Sequence, residues 1–517
     1  MTDMLRRTRA DMERRPIMRL TRPFAVAALA AVFAASQACA APTGERRAQQ
    51  PKAAPRGVDV AAAVGQAIAA SGLDRQDVAV SVRDAVTGRL VADVGGDRLM
   101  TPASNMKVLT TGAALFAMGP DFKFRTRLLR DGDRLVVLGD GDPSLGDPEF
   151  GDVAGVADQL IGMWVDGVQK AGIKAVRELV VDDRVFDRQY VHPEWPADQL
   201  GNAYCAEIAG LNYQTGLAMA YLGQADGRGQ VTRWSPAAPW LRVVNKSTAR
   251  GDKKADQTVW VGRTEDPTVF TLNGNVKAVP KEPIAVCVHD MPAFFGRVLG
   301  ERLRAAGIAV GNVRTAESGD PKFAGQPIAP VFEAPLAAVL ERCNTDSQNL
   351  YAESLLKRMA AARTGQPGSW PLGCATLASV IDERLGAGTA AKGLVATDGS
   401  GLSRGNKVAA NLVTAWLGAI AKDPKVGPAF IGSLAVGGKT GTVKKRFKDI
   451  DANKVFVPCK TGYINGVSCL SGYVGPVGGA PRFAFSVLCN DLTDDKGGVT
   501  KAKALQEKVA TILGSAM

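Results

Sequence analysis

The sequence predicts an α/β protein of the α+β kind, in which both ends of the chain build one domain around a large β-rich insertion. Three observations lead there. Near the N-terminus a helix-like stretch precedes two strand-like runs and a second helical pattern; near the C-terminus two more strand-like runs end in an amphipathic helix. Between roughly 125 and 325 the chain carries instead a series of short, valine-rich strand-like runs. A length of 517 residues with 46% hydrophobic and 22% charged residues suits a globular protein with more than one domain.

In chain order, Arg14, Arg15, Arg19 and Arg22 precede an apolar run at 23–35 (PFAVAALAAVFAA) that is too short for a permanent membrane span. Ala38-Cys39-Ala40 then offers a small-x-small cleavage site before Ala41, so residues 1–40 read as an export signal. Ser36 and Gln37 before Cys39 argue against a lipid-modified cysteine. Residues 41–57 (APTGERRAQQPKAAPRG) read as a polar linker. AAAVGQAIAASG is helix-like. Runs 78–84 and 89–94 flank a Val86-Thr87-Gly88 turn, and Pro102-Ala103 leads into a helical pattern from Ser104 to about Met118.

The middle runs are LVVLGDG, ELVVDD, LRVVNK, TVWVGR and FTLNGN. At the far end, 468–474 and 482–489 read as paired strands. A last helix at 500–513 has Ala504, Leu505, Val509, Ile512 and Leu513 as its apolar stripe. No stretch after residue 40 is long and apolar enough to cross a bilayer, so at most peripheral membrane contact is expected.

Charge and cysteines exclude some classes of function. The net charge is +12, and the first 40 residues hold seven Arg against Asp3, Asp11 and Glu13, leaving +8 afterwards. That excess suits an anionic surface or polymer, but no Lys/Arg run with interleaved aromatics points to nucleic acid. Cys205, Cys287, Cys343, Cys374, Cys459, Cys469 and Cys489 are scattered with no CxxC, and the chain has two histidines, His192 and His289. A metal centre has no ligand pattern to rest on, and no cofactor is expected. The odd number of cysteines after residue 40 leaves at least one thiol free.

The two histidines also argue against a Ser-His-Asp triad. A serine can instead be activated by a neutral lysine, provided burial or a second cation lowers the lysine pKa. Ser-x-x-Lys at a helix start puts both side chains on one face. It occurs at Ser104-Asn105-Met106-Lys107, after Thr101-Pro102-Ala103, and at Ser354-Leu355-Leu356-Lys357 in mid-helix. Ser-x-Asn follows at Ser347-Gln348-Asn349, and only Ser104 precedes it. Lys-Thr-Gly occurs at Lys439-Thr440-Gly441 in a basic, loop-like setting. It recurs at Lys460-Thr461-Gly462, before an Asn465-Gly466 hairpin turn and a clean antiparallel partner. The second copy is the better strand.

The ordered series SxxK, SxN, KTG is that of penicillin-binding proteins and serine β-lactamases. More narrowly, the chain resembles the class C low-molecular-mass penicillin-binding proteins, the D-Ala-D-Ala carboxypeptidase/endopeptidases of peptidase family S13. TPASNMKVLTTGAAL, LGDGDPSLG, LVVDDRVFD, NTDSQNLYAESLLK, ATDGSGLSRGNKV and VPCKTGYINGVSCLSGYVG carry the likeness over nearly the whole mature chain.

The resemblance implies a penicillin-binding, serine β-lactamase-like domain at 58–124 and 326–517, and two small domains inserted at 125–325. It implies a periplasmic enzyme acting on peptidoglycan stem peptides, with β-lactams as covalent inhibitors. Ser104 would be the nucleophile and Lys107 its base. Ser347 would relay a proton to the leaving amine, and Asn349 would orient the substrate and Lys107. Lys460, Thr461 and Gly462 would bind the substrate carboxylate and backbone, and the N–H groups of Ser104 and Tyr463 would form the oxyanion hole. Tyr463 departs from the Ser or Thr usual after KTG. Arg404 and Tyr204 are candidates for contact with the substrate side chain. A serine β-lactamase-like hydrolase would share acylation but need a further general base, for which no candidate stands out. A non-catalytic peptidoglycan-binding protein on the same fold would not need the intact motif set. Oligomeric state has no signature in the sequence.

Overall fold

The ends of the chain meet in one antiparallel sheet. Its strands run in the order Ala435–Val436, Pro458–Ile464, Val467–Pro476, Phe483–Cys489, Val78–Asp84 and Leu90–Val94. The last strand in sequence therefore pairs with the first, Val80 lying opposite Val487. The structure, a computed structural model, describes residues 58–517 apart from 151–156, 226–227, 249–256, 277 and 494–496. The expected export signal and linker lie outside the described residues.

Both faces of this sheet are covered, which is why Phe483–Cys489 is buried throughout and, apart from Ser486, apolar rather than alternating. Helices Val60–Ala70 and Gly498–Ser515 pack on one face, against Val78, Val80, Leu470 and Phe485. On the last helix the buried stripe is Ala502, Leu505, Val509, Ile512 and Leu513. Ala504, expected in that stripe, faces solvent one position out of phase. The other face is covered by Met106–Met118 and Ala410–Lys422, which meet where Trp416 Nε1 donates to the Val108 carbonyl at 3.2 Å.

The middle of the chain forms sheets of its own, and it is less purely β than its valine runs suggest. A mixed sheet orders Ala309–Thr315, Ala175–Asp182, Arg134–Leu138, Lys123–Asp131 and Gln326–Pro327, with Phe332–Pro335 also on Lys123–Asp131. Its parallel pairings require crossovers. Helix Ala157–Lys170 supplies one, and helix Met291–Ala305 leads into the edge strand. Leu160, Ile161, Trp164 and Val168 already show a helical period in the sequence. Two three-stranded sheets follow, Ile284–Cys287 with Leu217–Ala225 and Arg228–Ser235, and Trp260–Arg263 with Val269–Asn273 and Arg242–Asn245. Strand pairing by Gln326–Pro327 and Phe332–Pro335 carries the middle architecture past residue 325. One apolar cluster runs from Met106 and Trp416 in the flanks to Trp164 and Phe295 in the middle.

Candidate active site

Ser104 sits in a one-turn 3₁₀ helix, Ala103–Asn105, and the α-helix proper begins at Met106. The turn is tightly held. Ala103 has φ 46°, a strained value for a residue with a side chain. Asn490 bonds both the N–H and the carbonyl of Thr101, at 2.8 and 3.0 Å. Gly401 comes so close that a Cβ there would lie 1.8 Å from the Ala103 carbonyl oxygen. A short turn fixed from outside presents its serine in one orientation, whereas a free helix end would fray.

One turn on, Lys107 is fully buried. Its Nζ donates to Ser104 Oγ at 2.9 Å, Asn349 Oδ1 at 2.7 Å and the Ser400 carbonyl at 2.9 Å. Two of these partners can only accept. A neutral amine has two N–H bonds and one lone pair, so the two carbonyl oxygens take the N–H bonds and the lone pair is left for the Ser104 hydroxyl. Burial pushes the Lys107 ammonium down to about 8.

Lys460, also fully buried, donates to Ser347 Oγ at 2.8 Å and to the Thr461 carbonyl at 3.0 Å. Burial, followed by repulsion from Lys107, takes it to about 7. Neither lysine hydrogen-bonds a carboxylate, and that keeps both near the range where a proton can be exchanged at neutral pH.

The SxN motif straddles the start of helix Asn349–Thr364. Ser347 precedes it at φ 64°, a left-handed value that turns its hydroxyl toward Lys460. Asn349 Nδ2 donates to the Tyr204 carbonyl at 2.9 Å. The Lys460 strand packs edge-on against the nucleophile turn. Asn105 Nδ2 donates to the Lys460 carbonyl at 3.2 Å, and a Cβ on Gly462 would lie 2.6 Å from the Pro102 carbonyl oxygen. Only glycine allows that approach. Ile464 pairs with Val467 across the Asn465-Gly466 turn.

A cavity of about 580 Å³ collects Ser104, Tyr204, Ser347, Asn349, Arg404 and Tyr463, among others, on its wall. A larger hollow of about 780 Å³, over strand Arg228–Ser235, holds none of these groups. Arg404 Nη2 donates to the Asn465 carbonyl at 2.6 Å, tying its loop to the hairpin turn. Tyr204 reaches the site through its backbone. Its hydroxyl is held by Gln199 and Asn202, and its side chain is 44% exposed. Tyr463 is 57% exposed at the rim.

The structure leaves the other motif copies outside this arrangement. Lys439 is exposed on a turn, although Thr442 of the same loop meets Thr461, Oγ1 to Oγ1, at 2.9 Å. Ser354 and Lys357 are buried, Ser354 receiving Asn212 Nδ2 at 3.4 Å and Lys357 bonding Asp187 at 2.7 Å.

Among the contributors that escaped the sequence reading are the Ser400 carbonyl, the Tyr204 carbonyl and Glu194 on the cavity wall. DGSG at 398–401 signals a tight loop, but a backbone carbonyl leaves no residue-type mark. Among the described residues no cluster of metal-ligating side chains and no disulfide occurs, and no helix is long and apolar enough to cross a membrane.

Known proteins share this architecture. The D-alanyl-D-alanine carboxypeptidase of Actinomadura sp. (strain R39) is 31% identical over 443 residues, 80% of this chain and 77% of that protein. D-alanyl-D-alanine carboxypeptidase DacB of Haemophilus influenzae is 26% identical, covering 75% of this chain and 80% of its own. The crystal structure of penicillin binding protein 4 (dacB) from Haemophilus influenzae has the same fold. It aligns with a TM-score of 0.68 at 24% identity, over 84% of this chain and 95% of that one. The model of one family matches residues 60–512, a span that takes in all three motifs, and the chain belongs to that family, the D-Ala-D-Ala carboxypeptidase 3 (S13) family.

Proposed function

We propose that this chain is a serine DD-peptidase that cleaves D-Ala-D-Ala termini, and D-Ala cross-links, of peptidoglycan through an acyl-enzyme on Ser104. The observation that carries the reading is Lys107 Nζ, buried without a carboxylate partner and within 2.9 Å of Ser104 Oγ. At a pKa of about 8 roughly a tenth of Lys107 is neutral at pH 7, enough to take the serine proton as the hydroxyl attacks the penultimate D-Ala carbonyl. The N–H groups of Ser104 and Tyr463 receive the oxyanion. Ser347, held by Lys460, relays to the departing amine the proton that Lys107 took from Ser104, which leaves Lys107 neutral, and Asn349 keeps Lys107 and the substrate amide in register. Lys460 with Thr461 faces the terminal carboxylate, while Arg404, Tyr204 and Tyr463 line the side-chain end of the cavity. Water then attacks the acyl-enzyme, and Lys107, neutral again, takes its proton and returns it to Ser104 Oγ as the ester bond breaks.

β-Lactams would acylate the same serine. Export to the periplasm follows from the leader read at residues 1–40, with cleavage near Ala40-Ala41. On this reading, residues 58–124 and 326–517 are the peptidase domain and the segment between is an insertion.

The test is mass-spectrometric labelling by a penicillin, combined with assays for D-Ala release from a pentapeptide and for cross-link cleavage in purified sacculi. Wild type is expected to be labelled on Ser104 and to release D-Ala, and folded Ser104→Ala to do neither. Labelling that persists in Ser104→Ala would reject the nucleophile. Rapid turnover of penicillin without D-Ala release would favour a β-lactamase.

A further inference from the structure

Helix Asn349–Thr364 begins on Asn349 and, one turn later, buries Glu353 completely. Residues four apart share a helix face, so both point into the same side of the site. Glu353 Oε1 accepts the Ser400 N–H at 2.8 Å, and Oε2 accepts the Gly399 N–H at 2.8 Å and Trp370 Nε1 at 2.9 Å. The next group along that loop is the Ser400 carbonyl, which receives Lys107 Nζ.

The loop is braced from a second side. Buried Asp398 accepts the N–H groups of Gly401 and Ser403, both at 2.7 Å, and Trp195 Nε1 at 3.1 Å. Thr110 Oγ1 donates to the Gly399 carbonyl at 2.7 Å. Gly401 lies against the Ala103 carbonyl of the nucleophile turn.

We propose that Glu353 is a positioning residue for acyl transfer, holding the Ser400 carbonyl where it turns the Lys107 lone pair toward Ser104. This rests on reading Lys107 as the base. The amine has two obligate acceptors, and one helix controls both: Asn349 directly, and Ser400 through Glu353. If the Ser400 carbonyl were displaced, an N–H would be free to swing toward Ser104 Oγ, and the lone pair would point elsewhere.

Charge acts in the same place. Burial and repulsion by Asp398 push Glu353 up to about 7, and its negative charge favours the protonated form of Lys107. The other titratable groups that feel Glu353 are Cys343, Lys357 and Cys374.

The experiment measures penicillin acylation across pH in wild type, Glu353→Gln, Glu353→Asp, Trp370→Phe and Lys107→Ala, per active site and with thermal melting alongside. An amide must turn its NH₂ toward an N–H donor of the loop. Glu353→Gln is therefore expected to lose roughly 100-fold in limiting acylation rate, the scale of a misplacement of about 1 Å, with little change in penicillin affinity. Its acid limb should move to lower pH, because the charge that favoured protonated Lys107 is gone.

Glu353→Asp keeps the acceptors and should recover part of the rate. Trp370→Phe withdraws one donor from the carboxylate and should move the limb in the same sense by less, which keeps the idea testable if Glu353→Gln fails to fold. Wild-type rate per site with an unmoved limb in Glu353→Gln, or in Trp370→Phe alone if the former does not fold, would overturn the proposal. Full acylation by Lys107→Ala would instead overturn the reading of the base beneath it.

Discussion

Asn349 Nδ2 donates to the backbone carbonyl of Tyr204 at 2.9 Å, so a residue of the middle segment fixes the amide of the SxN motif. The other end of the amide accepts Lys107 Nζ at 2.7 Å. A carbonyl on one side and an amine on the other leave the amide a single sensible orientation. Trp195, from the same segment, reaches Asp398 in the loop behind Lys107. The geometry of the flanking motifs thus depends on groups of the middle segment.

Asn349→Asp tests that arrangement. The new carboxylate would face the Tyr204 carbonyl and lie beside Lys107, where an opposite charge raises the lysine pKa by about one unit or more. The base works only when neutral, so the acid limb of acylation should move to higher pH and the rate at pH 7 should fall at least about tenfold. Asn349→Ala, which removes both bonds without adding charge, should slow acylation at every pH. An unmoved limb in folded Asn349→Asp would show that Lys107 does not limit acylation.

Much of the site was legible because its parts are local. Ser104 and Lys107 are one turn apart, Ser347 and Asn349 two residues apart, and the Asn465-Gly466 turn marks which Lys-Thr-Gly begins a hairpin. What escaped was carried by the backbone or by distance. The carbonyls of Ser400 and Tyr204 have no side-chain signature, and Glu353 looks like any helix glutamate until Gly399 and Ser400 fold onto it. The helices Ala157–Lys170 and Met291–Ala305 were hidden differently. Their periodic apolar residues are flanked by valine runs that dominate a short window. The flanks that hold the motifs and the middle segment share one apolar cluster, a long-range feature that no local pattern marks.

The two Lys-Thr-Gly copies form a built-in comparison. Lys460→Ala removes a buried amine that bonds Ser347, and acylation should slow by about 100- to 1,000-fold, as when one preorganised electrostatic contact is lost. Lys439→Ala removes an exposed turn lysine and should leave the rate within about twofold. Second-order acylation rates, with melting curves for both variants, decide the matter. Equal losses would mean that the loop of Thr442, not the Lys460 side chain, shapes the substrate strand.

Gly462→Ala addresses packing in place of charge. The added methyl would lie 2.6 Å from the Pro102 carbonyl oxygen and 3.0 Å from the Asn105 nitrogen, both backbone atoms with little room to give. Strand and nucleophile turn must therefore separate, and acylation should drop by roughly 100-fold while the far-ultraviolet spectrum stays native. A wild-type rate would show that the turn tolerates displacement and is not what aims Ser104.

Asp142 offers a prediction about stability with a definite sign. Its Oδ1 accepts the N–H and hydroxyl of Ser144 at 2.8 and 2.7 Å, but its Oδ2 is buried with no partner among the described residues. Burial pushes the carboxyl up to about 7, whereas an unfolded aspartate titrates near 3.9. Below about pH 4 both states are protonated and the group costs nothing. Between about 4 and 7 the folded state keeps a proton that the unfolded state releases, so stability falls as pH rises through that window. Above pH 7 the full cost of a buried, half-solvated charge is present. An asparagine side chain in its place would keep the acceptor for Ser144 and never ionise. Asp142→Asn should therefore melt a few degrees above wild type at pH 8, with the advantage shrinking steadily toward pH 5. A constant difference across that range would mean that Asp142 does not change charge within it. A loss of stability at pH 8 would mean that the charge is favoured there, compensated by a group the Ser144 contacts do not reveal.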